Sequence, residues 1–230
     1  MKTIGMIGGM SWESSAEYYR LINEEVRNRL GGLHSAKSIL FSVDFEEVER
    51  WQATGDWEKA GNLLGQAAAA LEKAGADFII ICTNTMHKVI SDIEENISIP
   101  VLHIGEATAR RIQDRQIQKV GLLGTTYTME MDFYKSRLTS SGLEVLIPEE
   151  KEREEINRII FEELCMGKAV PSSREFFQET IRKLASKGAE GIVLGCTEIG
   201  LLIQEKHAAI PLFDTTAIHA QAAVEQALSK

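Results

Sequence analysis

Short apolar runs ending in Gly, Thr or Asn alternate along this chain with longer segments whose apolar residues recur about every 3.6 positions. The short runs predict strands at 2–7, 38–43, 77–82, 100–103, 118–123, 142–146 and 191–195. The periodic segments predict helices near 12–29, 45–52, 57–74, 85–95, 105–115, 128–140, 151–167, 173–187 and 215–228. Ser172-x-x-Glu175 has the form of a capping box, and Asp214 is placed to cap the last helix. Strands alternating with helices imply βαβ units, hence parallel sheets covered on both faces.

The alternation contains a repeat. Gly75-Ala76-Asp77 leads into Phe78-Ile79-Ile80-Ile81 and then Cys82-Thr83-Asn84-Thr85, while Gly188-Ala189-Glu190 leads into Gly191-Ile192-Val193-Leu194 and then Gly195-Cys196-Thr197-Glu198. Aligning the Gly-Ala pairs gives an offset of 113 (188 − 75) and sets Thr83 against Cys196. Lys2-Thr3-Ile4-Gly5-Met6-Ile7-Gly8-Gly9 likewise resembles Lys119-Val120-Gly121-Leu122-Leu123-Gly124-Thr125. The fold expected is α/β, with two pseudo-symmetric lobes, each a mainly parallel sheet flanked by helices, and an active site in the cleft between them. Residues 1–100 with 215–230 form the expected first lobe, and 101–214 the second. A thiol matched to a hydroxyl in that cleft suggests a reagent for each face of one carbon atom.

Composition narrows the partners. The 230 residues are 44% hydrophobic and 26% charged, enough to bury a substantial core. A net charge of −9 argues against nucleic acid or an anionic membrane surface as partner. No apolar run approaches the roughly 20 residues of a membrane helix, and no signal-peptide pattern opens the chain, so a cytoplasmic location is expected. Cys82, Cys165 and Cys196 are too few and too scattered for a disulfide framework or a zinc site, and no metal is expected.

In open parallel sheets, ligands bind beyond the carboxyl ends of the strands. Four loops fall there: Gly8-Gly9-Met10-Ser11-Trp12, Thr83-Asn84-Thr85, Gly124-Thr125-Thr126 and Cys196-Thr197-Glu198. Backbone N–H groups at helix starts, with small hydroxyl and amide side chains, suit a carboxylate, although the same residue types also serve as plain helix caps. Gly5-x-x-Gly8-Gly9 is neither a dinucleotide fingerprint nor a P-loop. Cys196 is the expected nucleophile or base, because a thiol at a strand end before a helix lies in a field that favours thiolate. Cys165 reads as a small apolar residue inside a helix, and Cys82 should face away from Thr83 by strand alternation.

Gly8-Gly9-Met10, Thr83-Asn84-Thr85-Met86-His87, Gly124-Thr125 and Gly195-Cys196-Thr197-Glu198 together resemble the signatures of the aspartate/glutamate racemase family, over essentially the whole chain. The resemblance implies an isomerase that racemises free amino acids without pyridoxal, metal or any other cofactor, usually as a homodimer. It further implies Thr83 and Cys196 as the catalytic pair and Met10, Asn84, Thr85, Thr125, Lys168 and Thr197 as substrate-binding residues. His87 and Glu198 would orient the reagents from behind. Most of the family carries a cysteine in both lobes, and this chain departs from that pattern at Thr83. A threonine hydroxyl has no charged form near neutral pH, so catalysis is expected to be asymmetric, with Cys196 taking the α-proton from L-substrates.

The resemblance makes aspartate or glutamate the first substrate to consider, with Lys168 reading the distal carboxylate. Family members acting on aspartate carry an Arg in the loop after the second strand. Here that loop, Ser42-Val43-Asp44-Phe45-Glu46-Glu47, carries Asp44 and no Arg, with Arg50 further along the following predicted helix, which argues against a strict preference for acidic substrates. Three alternatives stay open: a broad-specificity racemase of neutral amino acids, a related isomerase or decarboxylase using one cysteine, and an inactive small-carboxylate binding protein.

Overall fold

The computed structural model describes residues 1–229. The chain divides into two compact units, Met1–Ile104 with the residues from His219 onward, and Gly105–Ile218.

The first unit is built on three parallel strands, β1 (Ile4–Gly8), β2 (Ser38–Ser42) and β3 (Phe78–Ile81), in the order β2-β1-β3. Every residue of β1 and β3 is buried, as their unbroken apolar character requires in a sheet covered on both faces. Helix α1 (Trp12–Leu30) and the C-terminal helix Thr215–Leu228 supply partners for one face, where Tyr18, Ile22 and Val224 meet Ile4, Met6, Phe78 and Ile80. Helices α2 (Phe45–Thr54) and α3 (Trp57–Lys73) serve the other, where Val48, Leu64 and Leu71 meet Ile7, Ile79 and Ile81. Each such fully buried Ile or Leu contributes about 1.5–3 kcal/mol. Asp44 caps α2 by accepting from the Glu46 N–H at 3.2 Å. The short α4 (Ile90–Glu94) and α5 (Ile104–Asp114) complete the passage into the second unit.

The second unit holds β4 (Lys119–Gly124), β5 (Glu144–Leu146), β6 (Gly191–Gly195) and β7 (Leu212–Asp214), all parallel, in the order β5-β4-β6-β7. Its helices are α6 (Thr126–Glu130), α7 (Asp132–Thr139), α8 (Glu150–Glu162), α9 (Pro171–Ser186) and α10 (Ile199–Leu202), and the C-terminal helix is α11.

The repeat is structural and extends beyond the residues that first showed it. Gly75 and Gly188 each end a helix at φ near +95° (95° and 97°), a conformation in which a Cβ is strained. Asp77 then accepts from the Thr3 N–H, and Glu190 from the Gln118 and Lys119 N–H groups, tying β3 and β6 to the starts of β1 and β4. The Ile79 N–H donates to Pro100 O and the Ile192 N–H to Pro211 O, both at 2.9 Å. Ile99-Pro100-Val101 and Ile210-Pro211-Leu212 are therefore a second matched pair.

That pair corrects two strand boundaries. The strand predicted at 100–103 is a single bridge between Val101 and Ile79, and β7, which was not predicted, is its fuller counterpart. Three predicted helices are also divided. Residues 85–95 become a 3-10 turn (Thr85–Val89) followed by α4, residues 128–140 fall across α6 and α7, and 151–167 ends in the 3-10 turn Leu164–Met166. The Ser172-x-x-Glu175 pattern does not cap a helix. α9 starts two residues earlier than predicted, with Pro171 in its first turn and Val170 as N-cap, so Ser172 is already helical. The capping box belongs to Glu149 and Glu152 at the start of α8. Asp214 does cap α11, accepting from Thr216 N–H at 2.9 Å and Ala217 N–H at 3.2 Å.

Candidate functional site

In the first unit, β1 and β3 end side by side, and the Cys82 N–H donates to Ile7 O at 2.9 Å. The loop after β1 turns at Gly9, whose φ is +92° and whose missing Cβ would collide with the Val43 backbone. The Gly9 N–H donates to Ser15 Oγ at 2.8 Å, and Ser11 caps α1 through the Ser14 N–H at 3.2 Å. Met10 is buried in the core with Ile7 and Met86, so its side chain packs rather than faces solvent.

The loop after β3 is held by two consecutive carbonyls. Ser14 Oγ donates to Cys82 O at 2.7 Å, and His87 Nδ1 donates to Thr83 O at 2.9 Å. The Ile104 N–H donates to His87 Nε2 at 3.2 Å, which places the ring proton on Nδ1. Because the His87 side chain takes Thr83 O, the His87 main-chain N–H bonds to Asn84 O instead, at 3.1 Å. That i to i−3 bond is why the segment is a 3-10 turn. Thr83 is half-buried at the loop tip, with Asn84 and Thr85 buried behind it. Cys82 is fully buried in the α1-side core with Tyr18, and burial pushes its thiol far up. It faces away from Thr83, as strand alternation predicts.

His87 belongs to a buried aromatic cluster. Its ring centroid lies 4.6 Å from that of His103 and 5.8 Å from that of His219. Tyr18 Oη donates to His219 Nδ1 at 2.8 Å, and His219 Nε2 donates to Leu102 O at 2.9 Å. Burial lowers His87 well below the ordinary histidine range, helped by the neighbouring imidazoles, and lowers His219 to about 4. Both rings are neutral near pH 7 and act as fixed hydrogen-bond struts.

In the second unit, Gly124 and Gly195 are register partners on β4 and β6, so the loops carrying Thr125 and Cys196 leave the sheet together. Thr125 caps α6 through the Thr128 N–H at 3.3 Å, and Asn157 on α8 accepts from the Thr126 N–H at 3.0 Å. Cys196 is half-buried, and its Sγ–H donates to Glu198 Oε2 at 3.0 Å. Glu198 itself is buried, while Thr197 is half-buried.

The expectation of a lowered Cys196 pKa is corrected here. The helix after it, α10, is four residues long and starts at Ile199, too short and too late to favour a thiolate. Burial raises the thiol well above its ordinary value, and the Glu198 carboxylate and the Cys165 sulfur raise it further. Cys165, expected to be buried inside a helix, is half-buried in the Leu164–Met166 turn, which packs against α10. Lys168 follows Gly167, which holds φ +69°, and its side chain is exposed on the loop leading to α9.

The first unit thus carries Met10, Thr83, Asn84, Thr85 and His87 on two adjoining loops, and the second carries Thr125, Cys196, Thr197 and Glu198 on two more. Lys168 stands on the neighbouring turn. Ser14, Ser15 and Asn157 were missed. The Ser-Ser pair following Gly-Gly-Met-Ser signals the first two, whereas Asn157 inside an amphipathic helix leaves no local mark. Among the described residues no group of three or more His, Cys, Asp or Glu side chains is arranged to hold a metal ion, and no helix is long and apolar enough to cross a membrane.

The sequence pattern of the family described as Asp/Glu/Hydantoin racemase matches residues 7–223. The chain belongs to that family. Its members are isomerases, and the two-unit α/β architecture is shared with solved Asp/Glu racemase structures. A candidate Asp/Glu racemase from Yersinia pestis is 55% identical, with a TM-score of 0.93 and full coverage of both chains. An aspartate racemase homologue from Pyrococcus horikoshii OT3 is 38% identical, with a TM-score of 0.87 and full coverage of both. The broad specificity amino-acid racemase RacX of Bacillus subtilis (strain 168) is 28% identical over 177 residues, 76% of this chain and 75% of RacX.

Proposed function

We propose that this isomerase racemises free amino acids by removing and returning the α-proton, with Cys196 as the base toward L-substrates and Thr83 as the acid. The observation that carries the reading is the Cys196 Sγ–H to Glu198 Oε2 hydrogen bond of 3.0 Å. A thiol raised by burial is a poor base while protonated, but one hydrogen-bonded to a carboxylate has an acceptor already in place. In this reading Glu198 takes the thiol proton and Cys196 thiolate takes the α-proton. Thr83 gives its hydroxyl proton to the carbanion and recovers one through water. Glu198 returns its proton to the hydroxide left by that water, so no net proton is gained or lost over the cycle.

His87 and Ser14 support Thr83 by fixing the two carbonyls on either side of its backbone N–H. Asn84, Thr85, Thr125 and Thr197, with main-chain groups of the Met10 loop, form the polar set for the α-carboxylate and amine. Aspartate or glutamate is the proposed substrate, with Lys168 recognising the distal carboxylate. Broad specificity is the second reading. It is favoured by Asp44, a helix cap in the loop where an arginine would serve acidic side chains, and by the similarity to RacX.

The test is solvent deuterium incorporation at the α-carbon across L- and D-amino acids. Exchange fastest on L-aspartate or L-glutamate supports the first reading, comparable exchange on neutral amino acids supports the second, and none on any amino acid removes both.

A further inference from the structure

Four polar side chains are sealed beneath the Thr83 loop of the first unit. Tyr18, His87 and His219 have no exposed surface, and His103 has 3%. Burying such groups is costly unless each finds a hydrogen-bond partner, and apolar side chains would fill the same space without that cost. The partners found here form a continuous path. Tyr18 Oη donates to His219 Nδ1, which leaves the ring proton on Nε2 to donate to Leu102 O. Two residues further on, the Ile104 N–H donates to His87 Nε2, and the opposite ring nitrogen donates to Thr83 O. Each of these two imidazoles is a neutral link whose donor and acceptor roles are fixed by its neighbours.

The backbone on this path is held from its other side as well. The Ile79 N–H donates to Pro100 O and the Leu102 N–H to Ile79 O, both at 2.9 Å, so residues 100–102 lie along β3. The His103 ring packs 4.6 Å from the ring of His87. A shift of His219 therefore shifts the Leu102 carbonyl, and with it the Ile104 N–H that sets the tilt of His87.

The second unit is built differently at the matched positions. The offset of 113 that sets Thr83 against Cys196 also sets His87 against Gly200 (200 − 87). The matched Pro100 and Pro211 differ by 111 (211 − 100), which sets His103 against Asp214 (214 − 103), the cap of α11. A Cβ on Gly200 would come 3.0 Å from Asp214 Oδ2, so the space that His87 fills in the first unit is closed in the second. The imidazole path thus stands behind the hydroxyl reagent and not behind the thiol. A hydroxyl that does not ionise near neutral pH acts as a placed donor, and a misplacement of about 1 Å can cost about 10²-fold in rate.

We infer that Tyr18 and His219 are positioning residues for the Thr83 step of the reaction, acting through the backbone at 102–104 and the His87 ring. The inference rests on the proposed role of Thr83 as the acid opposite Cys196. Both residues are fully buried, so they act on Thr83 and not on the substrate.

The test is a double-mutant cycle on the full-length protein, with folding checked by circular dichroism. It reads kcat and KM for conversion to the D-enantiomer of L-aspartate, L-glutamate, L-alanine or L-homoserine, whichever wild type converts fastest. His219→Phe is expected to lower kcat at least about tenfold with KM nearly unchanged, since a ring remains but the link to Leu102 O is lost. His219→Gln, which keeps an amide N–H for that carbonyl, should recover most of the loss. Tyr18→Phe removes one hydroxyl from a core that keeps its shape, and should lower kcat about fivefold, the scale of one neutral hydrogen bond. In a Thr83→Ala background, where water supplies the proton, neither His219→Phe nor Tyr18→Phe should lower kcat further, whereas a packing defect lowers both backgrounds alike. Tyr18→Phe decides the matter even where His219→Phe folds poorly. Equal losses in the two backgrounds, or a Tyr18→Phe enzyme at the wild-type rate, overturn the inference and leave Thr83 as the acid. A Thr83→Ala enzyme as fast as wild type, or a wild type that converts none of the four, removes the underlying reading and the inference with it.

Discussion

The Cys196 thiol donates a 3.0 Å hydrogen bond to the Glu198 carboxylate two residues along the same loop. Burial and that carboxylate together hold the thiol protonated in the resting protein, so in the proposed mechanism the proton leaves toward Glu198 before Cys196 acts as a base. Glu198→Gln is therefore expected to lower deuterium exchange into an L-substrate by about 100-fold or more near neutral pH. Its residual activity should climb steadily with pH, because the thiol must then ionise to solvent. An unchanged rate and pH profile would place the acceptor elsewhere.

In the proposed mechanism Thr83 carries the chemical asymmetry. Proton abstraction by Thr83 relies on a hydroxyl that does not ionise near neutral pH, whereas a thiol there could. Thr83→Cys should raise the initial rate on the D-enantiomer by at least about 100-fold while changing the L-rate far less. Thr83→Ala should slow L-turnover less than Cys196→Ser does, since water replaces a donor more readily than a base. A D-rate left at wild-type level shows that Thr83 is not the second reagent.

Lys168, exposed on the turn before α9, is the proposed reader of the distal carboxylate. Lys168→Ala should raise KM for aspartate or glutamate about tenfold, the scale of one charge-assisted contact, and leave alanine or homoserine nearly unaffected. Equal losses on acidic and neutral substrates favour the broad-specificity reading.

The buried imidazoles link stability to pH. His219 titrates at about 4 in the folded protein, below its ordinary range near 6.5, so between these values the unfolded chain binds a proton that the native state refuses. Stability is fully present above the upper value and falls as pH drops toward the lower one. His219 accounts for about 2–3 kcal/mol of that loss by pH 4.5, and His87, shifted in the same direction, adds to it. Urea unfolding across this range should show the loss, with a shallower slope for His219→Gln. Identical slopes would remove His219 from the account.

The two halves of the fold were legible because β3 and β6 are buried on both faces, so each reads as an unbroken apolar run with the same Gly-Ala entrance. The Cys196 loop was legible for the same reason, since it follows such a run directly. What escaped was set by contacts that local pattern does not record. β7 is three residues behind Pro211, too short to show alternation. The turn at Thr85–Val89 is 3-10 because the His87 side chain takes Thr83 O. The direction of the Cys196 pKa depends on where the Glu198 carboxylate turns and on how short α10 is.

The most direct test of the central claim compares deuterium incorporation at the α-carbon of an L-substrate in wild type, Cys196→Ser, Cys82→Ala and Cys165→Ala, with folding verified for each. The account predicts that Cys196→Ser loses nearly all exchange while the other two retain most of it. Exchange surviving in Cys196→Ser, or lost as completely in Cys82→Ala, would contradict it.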